Sequence, residues 1–268
     1  MWRWPTANGL PPTAAVGLVV GVSGVLVLTA SAVEFEPSRV PDMWRPFLSF
    51  VGHLIVMPDW SYLPRLGVKM LETVEIAALA TAIATLLSFP LGILAAANAS
   101  PHPVIFHVTR QALTFMRALP ELVWALLFVS AVGLGPLPGV MALAFVTVGF
   151  MGKFFAESIE VVGEKSVDGI RAVGAGRFQL IQFAMLPQAM PDFIGTLLYI
   201  LDHNVRAAAI LGLVGAGGIG YDMVMTMRLF QYDRIVPIAF AIYLVVTALD
   251  RLSDVLRSRA IGKPASWG

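Results

Sequence analysis

The 268-residue chain contains no cysteine, which excludes disulfide staples, thiolate metal sites and cysteine nucleophiles. Charge is scarce as well: 13% of the residues are Asp, Glu, Lys or Arg, about half the share of an ordinary soluble domain. The formal net charge is only +1, so nothing in the balance points to nucleic acid. Histidine is limited to His53, His102, His107 and His203. His102 and His107 stand five apart across Pro103, so they do not share one helix face as a metal-binding i, i+4 pair would. No serine stands in a nucleophile-elbow context and no acidic pair recurs at helical spacing within an apolar run. Catalytic chemistry inside the bilayer is therefore not expected.

What the chain has in abundance is apolar length. Hydrophobic residues make up 57% of it and the mean hydropathy is +0.79, which predicts an all-α, polytopic integral membrane protein. Runs approaching the roughly 20 residues needed to cross a bilayer occur at Ala14 to Val33, Thr73 to Ala97, Ala118 to Gly135, Leu137 to Gly152, Phe193 to Gly218 and Ile235 to Leu249. Six crossings is the simplest count. The third and fourth runs are short and share the turn Gly133 to Gly139, so a re-entrant hairpin that crosses twice or not at all is the alternative.

Orientation follows from the basic residues. With both termini in the cytosol, the inside segments hold eleven, Arg3, Arg110, Arg117, Lys153, Lys165, Arg171, Arg177, Arg251, Arg257, Arg259 and Lys263. The outside holds six, Arg39, Arg45, Arg65, Lys69, Arg228 and Arg234, and Arg206 falls inside a run. That asymmetry meets the positive-inside tendency of a multi-pass membrane protein. Ala30-Ser31-Ala32 resembles a signal-peptidase site, but the apolar run before it exceeds the 7 to 15 residues of a cleavable segment. A retained first span is the reading adopted. The organisation expected is an N-terminal helix with an extracytoplasmic segment over residues 1–72, a transmembrane domain over 73–258 and a cytosolic tail over 259–268. Trp44, Trp60 and Tyr62 of the outside segment suit a membrane interface.

Three polar features stand out against this background. Asp202, His203, Asn204 and Arg206 lie within the fifth run. A charge at the centre of a bilayer costs about 2.5 to 3.5 kcal/mol on insertion scales, so such residues face protein or an aqueous path. Asp202 and Arg206 are four apart and can neutralise each other; the other reading has Arg206, assisted by Asn204, meeting an anion in transit, and the two are compatible. Glu121 after Pro120 suits a helix start, and Glu75, three residues after Glu72 near the beginning of the second run, has the same explanation. The second feature is Gly215-Ala216-Gly217-Gly218-Ile219-Gly220. It lacks the strand, helix and distant acid of a dinucleotide loop. Gly215, Gly217, Gly218 and Gly220 are instead expected to form a gate or helix break.

The third feature is a polar island between two apolar runs, Asp168-Gly169-Ile170-Arg171-Ala172-Val173-Gly174, which ends twelve positions after that glycine at Leu186-Pro187. Asp168, Gly169 and Ile170 belong to a short helix, Gly174 allows a turn, and Arg177 to Met185 forms a second helix ended before Pro187. The spacing resembles the cytosolic coupling loop of bacterial ABC-importer permeases. Gly174, Leu186 and Pro187 match that pattern and Asp168 is conservative, whereas Gly169, Ile170 and Ala184 depart from it. Thr73 to Ala77, Val132 to Pro136, Gly169 to Ala175, Leu186 to Gln188, and above all Asn204 to Ala209 followed by Leu213 to Gly220, are similar to the permease subunit of phosphonate and phosphite ABC importers.

This resemblance, over about residues 60 to 258, implies a type I importer permease fold with a cytosolic coupling helix, in a bacterial inner membrane. It also implies a homodimer of permease chains, a periplasmic or lipoprotein substrate-binding partner, and two copies of a cytosolic ATPase subunit. ATP and magnesium would sit on that ATPase, with no cofactor on this chain. Asp168, Gly169, Ile170, Gly174, Leu186 and Pro187 would engage the ATPase, and Asp202, His203, Asn204 and Arg206 would line the path. Two alternatives stay open: a type I permease for methionine or quaternary amines, which share the glycine run, and an ATP-independent carrier or channel.

Overall fold

Helices account for every regular element among the described residues, which in this computed structural model are 12–32, 40–55 and 58–260. Arg3, Val33, Arg39 and the tail beyond residue 260 lie outside them. The chain divides into two units, residues 1–53 and 54–268. In the first unit α1, Pro12–Ala32, is a 21-residue helix that matches the first apolar run. α2, Val40–Ile55, starts in this unit and carries Pro46 within it. Trp44 and Phe47 lie one turn apart on α2, exposed and stacked at 5.5 Å.

The second unit contains α3 (Leu63–Ala95), α4 (Pro103–Met116), α5 (Glu121–Val132), α6 (Pro136–Glu160), α7 (Glu164–Ala172), α8 (Arg177–Leu180), α9 (Leu186–Leu211), α10 (Gly218–Arg228) and α11 (Ile235–Ala260). α3 begins ten residues before the apolar run it contains. Arg65, Lys69, Glu72 and Glu75 lower the local hydropathy without stopping the helix, and Lys69 pairs with Glu72 at 2.7 Å. Glu75 is therefore not a helix-start acid, unlike Glu121, which opens α5 behind Pro120.

The third and fourth apolar runs behave differently from each other. α5 has 12 residues, about 18 Å at 1.5 Å per residue, too short for a hydrocarbon core of about 30 Å. It joins α4 at an 83° bend, and the two together have the length and apolarity of one broken span. α6, with 25 residues, is long enough to cross alone. The third run is thus neither one of six separate crossings nor half of a symmetrical hairpin with the fourth: it pairs with α4 as one bent span, and the fourth run crosses alone in α6. In the second unit, among the described residues, helices that include α3, α9 and α11 are also long and apolar enough to cross.

α6 is the centre of the bundle: 72% of its apolar window is buried, against 17% for α11 at the edge. Lipid is as apolar as a leucine core, so close packing rather than water exclusion must hold these helices together. Small residues allow it. A methyl group on Gly92 of α3 would lie 2.7 Å from Phe155 Cβ on α6, and one on Gly149 of α6 would lie 2.8 Å from the Leu113 carbonyl on α4. Phe155 stacks on Phe193 of α9 at 4.2 Å between ring centroids, so α3, α4, α6 and α9 are tied by one set of contacts.

Candidate functional site

At one end of the bundle α7 and α8 form an elbow. Asp168 and Arg171 pair at 3.0 Å across one turn of α7, both exposed. Val167 is buried and Ile170 half buried in the cluster that includes Leu180 and Met185, while Gly169 faces open space. Gly174 lies just beyond the end of α7 with φ +81°, and its N–H donates to the Arg171 carbonyl at 2.9 Å. This left-handed backbone strains any residue with a Cβ. Apolar surface is exposed here: Val161, just past α6, and Val173 are each 82% exposed and Phe178 of α8 76%.

The second helix of the island does not end before Pro187. Residues 177–214 are helical without interruption, because residues 181–185 form a π turn in which the Leu186 N–H reaches back to the Ile181 carbonyl. That wider turn is how a helix accommodates the donor and the space that Pro187 takes away. Leu186 and Pro187 therefore lie in the first turn of α9, and the elbow continues directly into a span.

Further along α9 the polar residues separate by face. Asn204 is 1% exposed; its Nδ2 donates to Thr81 Oγ1 of α3 at 2.8 Å and its Oδ1 accepts from Thr147 Oγ1 of α6 at 3.2 Å. Residues two apart on an α-helix point about 200° from each other, and Arg206 lies on another face, its side chain 45% exposed. Arg206 Nη2 donates to Asp202, and Nη1 donates to Asp250 of α11 at 3.1 Å. His203 is exposed. The four residues expected together thus split into an interior knot at Asn204 and an outward set of Asp202, His203 and Arg206.

The glycine run follows α9 at the other end of the bundle. Gly215, Gly217 and Gly218 all have positive φ, from +70° to +88°, so the chain folds back sharply between α9 and α10. A methyl on Gly212 would lie 2.5 Å from the Gly217 carbonyl. Gly220 is one turn into the region and packs on the Ala209 carbonyl. The fold-back is pinned from outside: Glu72 Oε1 accepts from Gly218 N–H at 3.0 Å, Thr73 Oγ1 accepts from Ile219 N–H at 2.9 Å, and Gly135 N–H donates to the Gly215 carbonyl at 2.9 Å. The Glu72 carboxylate meets the positive end of α10, where negative charge is favoured. Nearby, Ser61 donates to Asp59 from both its hydroxyl and its backbone N–H, and this, with Arg234 at 3.5 Å, holds the Asp59 carboxyl below the usual range.

Residues 88–262, which take in the elbow, α9 and the glycine run, match the family of binding-protein-dependent transport system inner membrane components. The chain belongs to that family. As such a component it is a transport subunit and not an enzyme, and ATP hydrolysis belongs to a partner subunit. It is 38% identical to the phosphite transport system permease protein PtxC of Stutzerimonas stutzeri, over 90% of this chain and 88% of that one. It is 43% identical to the phosphate-import permease protein PhnE of Mycolicibacterium smegmatis, over 90% of this chain but only 46% of that longer one.

Two solved structures share the fold of this membrane component. An amino acid ABC transporter crystallised with histidines gives a TM-score of 0.64 at 18% identity, covering 74% of this chain and 95% of its own. The inward-facing MetNI methionine ABC transporter gives 0.63 at 17% identity, over 73% and 95%. The expected type I importer permease architecture is therefore present.

The pairings of four side chains in this component escaped the sequence reading. Asp250 stands 44 residues from Arg206 and outside the polar cluster, with no local signal of its pairing. Thr81 and Thr147 are single hydroxyls in apolar helices, ordinarily satisfied by their own backbone. Glu72 gave a signal, its charge at the edge of an apolar run, but its partner Gly218 is 146 residues away.

Proposed function

We propose that this chain is the membrane-spanning permease of an ATP-driven importer that moves phosphite, phosphonate or another phosphorus oxyanion by alternating access. The observation that carries the substrate class is the similarity over 90% of the chain to permeases named for phosphite and phosphate import. A binding-protein partner delivers the anion, a pair of ATPase subunits carrying ATP and magnesium supplies the work, and a second permease copy completes the path. The greater length of the Mycolicibacterium relative, about twice the matched segment, leaves room for such a second unit in one chain.

The elbow of Asp168, Gly169, Ile170 and Gly174 is the contact with the ATPase. Exposed Val173 and Phe178 beside it supply the apolar area, and Gly174 sets the angle. Leu186 and Pro187 then carry the displacement into α9 as a rigid-body shift. Arg110, Arg171 and Arg177 lie at this end around the Glu160 and Ser100 turn, and with Lys165 of α7 they support a cytosolic elbow and cytosolic termini in the inner membrane. At the opposite face the fold-back of Gly215, Gly217, Gly218 and Gly220 acts as the gate.

Arg206 is the anion contact of this reading. Two of its five N–H donors are committed to Asp202 and Asp250, and the others are offered on a half-exposed face beside His203. The two carboxylates keep affinity low, as a path that must release its cargo requires. Asn204, in the interior knot, serves the path by fixing α9 against α3 and α6. Isolation of the tagged chain tests the assembly: an ATPase subunit is expected to accompany it, and ATP-independent flux through the chain alone would contradict the proposal.

A further inference from the structure

A push on α7 reaches the bundle through α8 and the π turn, the elements α7 packs against most closely. From there one exit is covalent, along the unbroken helix into α9. A second exit leaves sideways from the first residue of α8. The Arg177 guanidinium donates to the backbone carbonyls of Ser100 and, at 3.3 Å, of Pro101, in the turn between α3 and α4.

That turn is not independent of its surroundings. Ala97 N–H donates to Glu160 Oε1 at 2.7 Å, and Asn98 Nδ2 donates to the Ile159 carbonyl at 2.9 Å, both at the end of α6. Arg110 of α4 binds both oxygens of Glu160 at 2.9 Å and the Ala95 carbonyl of α3 at 3.0 Å. The ends of α3, α4 and α6 are thereby knotted into one body, and Arg177 is bound to it from the coupling segment. A guanidinium is suited to the task, because its planar fork reaches two neighbouring carbonyls at once, which the point charge of a lysine does not.

We infer that Arg177 is a second transmission point, a hitch that makes α3, α4 and α6 move with α9 when the ATPase displaces α7. This rests on the coupling role proposed for Asp168 to Gly174. The strain between the two exits falls on residues 181–185, whose π turn lies immediately between the hitch and the span and is the kind of irregularity a helix uses where it must adjust.

The test uses the permease in vesicles with its ATPase and binding-protein partners, phosphite as the probe, and hydrolysis and uptake measured together. Arg177→Ala is expected to hydrolyse ATP while uptake per ATP falls about tenfold, the scale of losing a charged hydrogen bond, with Arg177→Lys intermediate. Gly174→Val checks the underlying role: if it leaves both rates intact, the elbow is not the coupling element. If Gly174→Val uncouples while Arg177→Ala keeps the parental uptake per ATP, the hitch alone is overturned. The absence of native cysteine permits a control against simple misfolding, Ser100→Cys with Arg177→Cys joined by a short bifunctional thiol reagent. Recovery of coupling on bridging supports the hitch, and a bridged protein that stays uncoupled refutes it.

Discussion

Replacing Arg206 by leucine separates the two things this residue does. In the parent one guanidinium faces two carboxylates, Asp202 with its side chain 14% exposed and Asp250 at 44%. Removing the cation leaves two carboxyl groups side by side without their common donor. Breaking a fully buried pair costs about 3 to 5 kcal/mol, but Arg206 and Asp250 are nearly half exposed, so a loss of about 2 kcal/mol is expected. That corresponds to a fall of about 4 to 8 °C in the unfolding midpoint for a chain of this size. Arg206→Leu combined with Asp202→Asn removes the repulsion and should recover about half of the loss. Adding Asp250→Asn should recover most of the rest. Thermal unfolding of the detergent-solubilised permease reads the stability series, and phosphite uptake in vesicles reads function on the same variants. If Arg206→Leu melts like the parent, or if neutralising Asp202 makes it worse, the electrostatic reasoning is wrong. If the stable triple variant transports normally, Arg206 is only a brace and the anion contact is refuted.

Gly139→Ala places a methyl 2.6 Å from the Ala216 carbonyl, and such overpacking should cost about 1 to 3 kcal/mol, measured as a lower unfolding midpoint; an unchanged midpoint would show that the fold-back is loosely held. Glu72→Gln weakens the cap on α10 by about 1 kcal/mol, and hydrogen exchange at the Gly218 and Ile219 amides should accelerate locally. For Asp59 the depressed carboxyl contributes stability that is present above the ordinary value of 3.8 and lost as pH falls through the lower folded value. Asp59→Asn should therefore remove one component of the acid destabilisation below about pH 4, and an identical pH profile in parent and variant would contradict the assignment.

Local features of this fold were legible and long-range ones were not. Asp168 to Gly174 could be read as a helix and a turn because Gly174 needs only its own φ to make the break, and Glu121 because Pro120 and the acid signal a helix start together. Pro187 misled, since a proline ends a helix only when the turn before it cannot widen, and residues 181–185 do widen. The start of α3 was placed at Thr73 because hydropathy registers Arg65 and Lys69 as polar, whereas the helix simply carries them in its first turns. The third apolar run looked like a span until its two ends, Pro120 and Gly133, limited the helix to twelve residues. Asn204 was recognised as unusual by its depth, but periodicity alone does not say which face meets protein. Its partners Thr81 and Thr147 come from helices 123 and 57 residues away, and only the packing of α3, α6 and α9 brings them together.

The most direct test is uptake of labelled phosphite, with a phosphonate as second substrate, into vesicles holding this permease, its ATPase and its binding protein. Uptake should require all three proteins and hydrolysable ATP, and Gly174→Val should abolish it while hydrolysis persists. Accumulation by the permease alone, or undiminished uptake without ATP, would contradict the account.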